Sequence, residues 1–485
     1  MLNEIIKAGE FVLEECTIHT CSGGKLNLLE LPYVISDISV EEDIEQTTIL
    51  GSITFLDSGN ASSNGPIIGQ ETLTLKMQTT GIDNENSIID FSKHSLMVFS
   101  LRTNVPIGDA MKVSQISFCS FEMMEDRRMR LSQSFEGEYY KIVEKIFKDI
   151  LKSKKKLWLE ETVGKKKIIA PNISPFDVIK LAMRQGVNES REPTFYFWET
   201  TKGYNFRTLE SMYSTGEMSG PKFRYIERAQ PGGIHTRGGA QNIMAELSSI
   251  LSWQILSGAD TLVNYQVGVY ASKLIEHDIF NKTYTEYKYD YLNPKMVEQH
   301  IPASSSGGIG NPIYSATPIN DKGDTISTTK DMTFLFPVSI KDVSTKKDAH
   351  HSSPYGKSNF AAPTARDWHQ RRVSMRQQIQ ENGGGGPTIR IVVNGNTVLN
   401  AGDMIYIDLY SKTVDPKKRD KFDVIYNGPF LIKKLRHNFS TDGMTHKMEI
   451  TAIKDSLPVP LPATGVKPSK SGSSGIIDPI DSGWV

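Results

Sequence analysis

The sequence predicts a mainly β protein with an α+β domain set between its β regions. Three observations carry this. From Phe11 to about Glu125, short runs alternate apolar and polar residues between turn residues; from Ser134 the period lengthens to that of a helix; after Leu247 the alternation returns. At 485 residues the chain exceeds what one hydrophobic core usually supports, so several domains are expected.

In the first region the runs are Leu26 to Leu31, Val34 to Val40, Gly51 to Leu56, Thr72 to Met77, Ser95 to Leu101 and Val113 to Phe121. Glycine, asparagine and proline at the breaks point to antiparallel β, a small barrel or sandwich over residues 1–125. The stretch Asp57 to Pro66 is a long turn between two of these strands.

Residues 126–217 read as a compact α+β domain. Tyr139, Ile142, Val143, Ile146, Phe147, Ile150 and Leu151 recur at helical spacing with lysine and glutamate between them. Ser174-Pro175 opens a second helix, with serine as N-cap and proline in the first turn. Thr194 to Glu199 and Tyr204 to Leu209, joined by Lys202-Gly203, form a hairpin against these helices.

Strands Ser252 to Leu256 and Val267 to Ile275 and the aromatic alternation of Tyr284, Tyr287, Tyr289 and Tyr291 put β structure back in residues 218–295. Residues 296–364 are a polar insert in which only Met332 to Ile340 resembles a strand. Over 365–455 a helix from about Arg366 to Gln380 leads into strands Thr388 to Val393, Asp403 to Leu409, Phe430 to Phe439 and His446 to Ile453. The tail, 456–485, carries Pro458, Pro460, Pro462, Pro468 and Pro479 and is expected to be extended.

Charge and motifs exclude several classes of function. Lysine plus arginine total 55 against 56 acidic residues, so no global field draws in a polyanion, and specific nucleic-acid binding is not expected. Cys16, Cys21 and Cys119 match neither a CxxC site nor an even disulfide framework; they read as buried or idle thiols in a reducing compartment. No run of about eighteen apolar residues suggests membrane insertion, and Glu4 and Lys7 fall where a signal peptide would be apolar, so a cytoplasmic origin is expected.

Nucleophile elbow, HExxH, P-loop and dinucleotide patterns are missing, and no cofactor or catalytic residue is implied. His437 and His446 stand on opposite arms of an expected hairpin and could meet across it, without an acidic or thiol ligand at useful spacing. Glu41, Glu42, Asp43 and Glu45 are the densest acidic cluster and read as a solvated strand end. The lysines at 152, 154, 155, 156, 165, 166 and 167 read as solvated charge near a helix C-terminus. In the tail, Ile476, Ile477, Ile480 and Trp484 are apolar hooks for a groove on a partner, with Trp484 the principal interface candidate.

The order of parts resembles a known family. Val34 to Val40, then Gly51-Ser-Ile-Thr-Phe-Leu-Asp57, then Pro66-Ile-Ile-Gly-Gln-Glu-Thr-Leu-Thr-Leu75 are similar to the first tube-like barrel of contractile-phage baseplate hub proteins. Arg130 to Phe135, Pro171 to Gly186, Phe195 to Glu199 and Gly203 to Phe206 look like that family's lateral domain. Ala401-Gly-Asp403, Asn427 to His437 and Met448 to Asp455 resemble the closing strands of its second barrel.

The resemblance implies two tube-protein-like antiparallel β-barrels per chain, the second divided between 218–295 and 365–455. It also implies a homotrimer joining a hexameric tail tube protein, or tube initiator ring, to a three-fold central spike protein among neighbouring baseplate proteins. It places the chain in the virion tail; the hub of a related contractile injection system is the alternative reading, and a tail-associated cell-wall hydrolase a further one. A ring that passes DNA is expected to have a non-basic lumen, with Glu41, Glu42, Asp43 and Glu45 as contributors.

Overall fold

A computed structural model describes residues 8–59, 67–79, 87–107, 109, 111–190, 192–213, 223–227, 245–257, 261–262, 265, 270–278, 283–290, 319, 322–326, 333–338, 386–412, 422–423 and 425–457. The expected helix at Arg366 to Gln380 and the whole tail beyond Leu457 lie outside them.

The N-terminal region contains β1 (Phe11–His19), β2 (Lys25–Asn27), β3 (Tyr33–Asp43), β4 (Leu50–Asp57), β5 (Thr72–Thr79), β6 (Ile88–Asp90), β7 (Leu96–Ile107) and β8 (Met111–Ser120). Alternation places Ile38, Val40, Ile53, Phe55, Leu73 and Leu75 on one buried face. Gly51, second in β4, is glycine for a steric reason: a Cβ there would fall 2.2 Å from the Phe118 ring and 2.4 Å from the Ser39 carbonyl.

The α+β region follows: α1 (Phe121–Arg128), β9 (Leu131–Glu138), α2 (Tyr139–Lys145) running into a π-helical turn (Ile146–Ile150), β10 (Leu157–Leu159), β11 (Lys165–Ile173), α3 (Pro175–Gln185), β12 (Phe195–Thr200) and β13 (Gly203–Thr208). Ser174 caps α3, its hydroxyl accepting from Asp177 N at 3.3 Å, with Pro175 in the first turn. The two helices cover the β12–β13 hairpin, where Phe147 meets Tyr204 edge-on at 4.8 Å and Phe195 stacks on Phe206 at 4.7 Å. The helical period read from Ser134 begins at Tyr139, since β9 precedes it; Phe121, read as the last residue of a strand, opens α1.

The remaining strands are β14 (Phe223–Glu227), β15 (Ser249–Ser257), β16 (Ala271–Asp278), β17 (Thr283–Asp290), β18 (Thr333–Val338), β19 (Thr388–Asn394), β20 (Met404–Asp408), β21 (Gly428–Ser440) and β22 (Thr445–Ile453). The order β21-β20-β14-β15-β19-β22 is closed by pairing of β21 with β22 into a six-stranded mixed barrel. In it β14 runs parallel to both neighbours. Strands β16, β17 and β18 make a separate sheet, so the tyrosine strand does not enter the barrel.

The expectation of two closed barrels is corrected by the pairing. Among the described residues the N-terminal sheet, order β2-β1-β5-β7-β8-β4-β3, does not close on itself. The outer edge of β3 is occupied by β21, from Asp43↔Lys434 to Asp37↔Ser440, so it is not open to β1. Strand β21 is 13 residues long, roughly 40 Å at strand rise, which lets it pass from one sheet to the other. Its first residues pair with β20, its later ones with β3, and β22 follows along its other edge. The far end of this hairpin meets the residue just before β1 at one bridge, Glu10↔Thr445.

A fourth apolar cluster locks the α+β region to both sheets through Ile44, Tyr196, Trp198, Tyr213, Leu431 and Ile453. Trp198 Nε1 donates to the Ala401 carbonyl at 3.0 Å, so the ring is satisfied while buried.

Candidate functional site

The chain presents two kinds of feature that bear on function: uncovered strand edges, and buried polar contacts where its parts meet. Strand β5 covers β7 only at Leu96 and Met97, and the Val98 amide is bonded to the Glu71 carbonyl. From Phe99 to Ile107, β7 pairs on its β8 side alone among the described residues. Phe99, Val105, Ile107 and, across the hairpin, Met111 are exposed there. Likewise β14 reaches only Ser249 and Ile250 of β15; the rest of β15 pairs with β19 alone among the described residues, with Leu251 and Ile255 exposed. Unpaired N–H and C=O groups beside apolar side chains form a template for another strand.

The acidic cluster is not a solvated strand end. Glu42 is fully buried, and its two carboxylate oxygens accept from Thr201 N at 2.6 Å and Ala401 N at 2.8 Å. One side chain of β3 thereby joins the β12–β13 turn to the loop before β20. Burial pushes the Glu42 carboxyl up to about 7, against the pull of those two amides. Asp43 accepts from Glu45 N at 2.9 Å, and burial pushes it up to about 6. Glu41 pairs with Lys434 at 2.7 Å, and Glu45, the exposed member, with Lys433 at 3.1 Å. As lumen candidates, then, Glu42 and Asp43 lie inside the fold, Glu41 is half-buried and Glu45 reaches solvent.

Within the lysine run, Lys155 departs from the expected solvated role. Its Nζ lies 2.8 Å from Glu122 and 2.6 Å from Glu199, with all three side chains buried. Burial pushes the ammonium down, but Glu199 and Glu122 hold it above its usual range. The other oxygen of Glu199 accepts from Ile49 N at 2.9 Å, so the ion cluster also fastens the α+β region to the N-terminal sheet.

The two histidines do meet. His437 Nδ1 and His446 Nε2 are 3.0 Å apart, and His446 Nδ1 is 2.9 Å from Thr79 Oγ1. Each ring has a nitrogen committed to the other, and among the described residues no three His, Cys, Asp or Glu side chains converge to hold a metal ion. Cys16 and Cys119 are buried, which pushes both thiols up to about 12; Cys21 is exposed. The hooks Ile476, Ile477, Ile480 and Trp484 lie outside the described residues.

No protein-family model and no curated protein matches the sequence. Solved structures do match. A tail protein from Neisseria meningitidis is 9% identical, with 92% of this chain and 97% of that one covered at a TM-score of 0.47. A 43 kDa tail protein of prophage MuSo2 from Shewanella oneidensis is 8% identical, covering 91% and 99% at 0.47. An Escherichia coli component of the type VI secretion system, described as similar to T4 bacteriophage tail proteins gp27 and gp5, is 8% identical over 88% and 74% at 0.35.

Proposed function

We propose that the protein is a structural hub subunit of a contractile phage tail baseplate, a homotrimer that adapts the hexameric tail tube to a three-fold spike and surrounds the channel for DNA ejection. The observation that carries this reading is the pair of edges left unpaired among the described residues. One lies on the N-terminal sheet at β7 and one on the barrel at β15. Each chain therefore offers one edge from each of two β units, and head-to-tail joining of three copies covers both of these edges in every copy when the ring closes.

Around such a ring three chains supply six β units, which suits a six-fold neighbour on one side and a three-fold one on the other. The buried contacts of Glu42, Glu199 and Trp198 support the same role, because a ring subunit must hold its two β units at a fixed angle. On this reading the work of the chain is assembly, not turnover, and its place is the virion tail. Mass measurement in solution tests it: a trimer is expected, and a persistent monomer at concentrations well above those of assembly would remove the ring.

A further inference from the structure

The edges of β7 and β15 are the two ends of one continuous sheet. From β7 the pairing runs through β8, β4, β3, β21, β22 and β19 to β15, eight strands that cross from the N-terminal sheet into the barrel without a break. One face of this sheet is spent on the two cores. Ile38, Ile53 and Phe118 pack in one cluster with Leu73 and Leu75 of β5, and Ile391 and Ile450 in another with Tyr225 of β14 and Ile407 of β20. Glu42, which binds the β12–β13 turn, alternates with Val40 and so lies on that same face.

The opposite face is polar. One row of directly opposed residues, strand by strand from β7 to β22, reads Ser100, Ser117, Ser52, Ser39, Asn438 and Lys447. The next row carries Gln115, Thr54 and Asp37. Arg436 Nε donates to Ser39 Oγ at 3.1 Å, which puts the β21 side chains on this face together with the serines. Charge is largely paired across strands: Glu41 lies 2.7 Å from Lys434 and 3.7 Å from Arg436, and Glu449 lies 2.9 Å from Arg390. The face therefore has no basic field with which to hold phosphates. Toward the β7–β8 turn it becomes apolar at Val34, Leu56, Val113 and Val105, and there the polar band ends.

We propose that this polar face is the wall of the channel, and that a DNA duplex passes against its hydroxyls and amides without being held. The assignment rests on the ring proposed above and adds which surface of the chain faces inward. Joining β7 to β15 between copies turns three eight-stranded sheets into one closed wall, well beyond the roughly 16–18 strands that already leave an aqueous channel. Strands β1, β5, β14 and β20 all lie across the cores from the polar face. In a closed ring that bulk has room only at the larger radius, which leaves the polar face inside. Of the acidic cluster, Glu41 then belongs to the wall through its pairs with Lys434 and Arg436, while Glu42 belongs to the core side.

The test is double electron–electron resonance on the full chain, spin-labelled at Ser52→Cys or, separately, at Lys25→Cys. Both are made in a Cys21→Ser background, since Cys21 is exposed while Cys16 and Cys119 are buried. Lys25 is exposed on β2, which pairs with β1 behind the first core. The expected inter-chain distance at position 52 is about half that at position 25. A distance at 52 equal to or longer than that at 25 would overturn the wall while leaving the trimer. A monomer, with no inter-chain distance at either position, would remove the ring and the wall with it. The second measurement is retention of a short DNA duplex. The Ser39→Lys/Ser52→Lys trimer, changed at two half-exposed positions, should hold it at least about tenfold more tightly than the unsubstituted trimer, and the difference should vanish as salt is raised. Equal retention by the two would overturn the claim that an uncharged wall lets the duplex pass.

Discussion

His437 and His446 face each other across the β21–β22 hairpin at 3.0 Å, both fully buried, at the point where that hairpin reaches the N-terminal sheet. Thr79 of β5 completes the chain of polar atoms, while His437 Nε2 has no partner among the described residues. Phe439 stacks on His446 at 4.0 Å, and Phe11 lies against Phe439 at 5.0 Å. Burial pushes His437 down to about 3, and burial with His437 beside it holds His446 well below its usual range. The pair is therefore neutral, and a proton on either ring would bury a charge without a counter-ion.

The pH dependence follows with a definite sign. An unfolded histidine takes up its proton near 6.5 and the folded one does not, so stability falls as pH drops from about 6.5 toward 3. His437 contributes a loss of about 2 kcal/mol between pH 7 and pH 5, and His446 adds to it in the same direction. Glu42 and Asp43 act in the opposite sense: raised to about 7 and about 6, they add stability at low pH that is lost as pH rises through those values. The measurement is therefore differential. Urea unfolding at pH 7 and pH 5 should show His437→Leu losing about 2 kcal/mol less than the unsubstituted chain. At pH 7 His446→Leu, which leaves Thr79 Oγ1 and both His437 nitrogens unbonded, should be the worse of the two substitutions by about 2 kcal/mol. Equal losses on acidification would remove the histidines as the cause.

Glu42→Gln is nearly isosteric, yet it should cost about 1–3 kcal/mol. Both carboxylate oxygens accept from backbone N–H groups, Thr201 on one and Ala401 on the other. An amide can match only one and sets a donor against the second. Because the carboxyl is raised by burial, its favourable contribution is present below about 4.5 and lost as pH climbs through about 7. The variant should accordingly show a smaller decline of unfolding midpoint between pH 6 and pH 8. A midpoint unchanged at all pH values would mean that this contact does not hold the regions together.

Lys155→Met should be among the most damaging single changes in the α+β region, by about 3–5 kcal/mol, because it strands two buried carboxylates. The triple variant Glu122→Gln/Lys155→Met/Glu199→Gln removes the charges together and should recover most of that loss. It retains an amide oxygen to accept from Ile49 N, which Glu199 Oε2 does now. Chemical denaturation of the two variants decides it: if the triple is no more stable than the single, the lysine acts through packing and not through charge.

Local signals were readable and long-range partners were not. The Ser174 cap, the hairpin at 195–208 and the approach of His437 to His446 all follow from spacing within a few residues or across one turn. Four carboxylates in five positions look solvated because the amides that bury Glu42 lie 159 and 359 residues away. Lys155 sits among visibly exposed lysines, and nothing local announces Glu122 and Glu199. The double membership of β21 was likewise hidden: its alternation marks a strand but not the change of partner from β20 to β3. Among the described residues, that change leaves one barrel closed where the family pattern suggested two.

The edges of β7 and β15 give the most direct test of the ring. Val105 and Ile107 lie on β7 beyond the cover of β5 and are exposed, so Val105→Lys with Ile107→Lys introduces two charges without disturbing a core position. Lysine on an edge strand opposes pairing with another strand because its ammonium must then be desolvated or displaced. Surface changes of this kind usually alter stability within about 0.5 kcal/mol, so the unfolding midpoint of the monomer should stay where it is. Leu251→Lys with Ile255→Lys is the matching change on β15, also at exposed positions. If the two edges meet between copies, either double variant should sediment as a monomer. Mixing the two should yield at most a dimer, formed through the one intact edge left on each chain. That heterologous pattern separates a ring from a two-fold dimer, in which each variant would fail or survive alone. Trimers formed by both variants, as readily as by the unsubstituted chain, would show that assembly uses another surface.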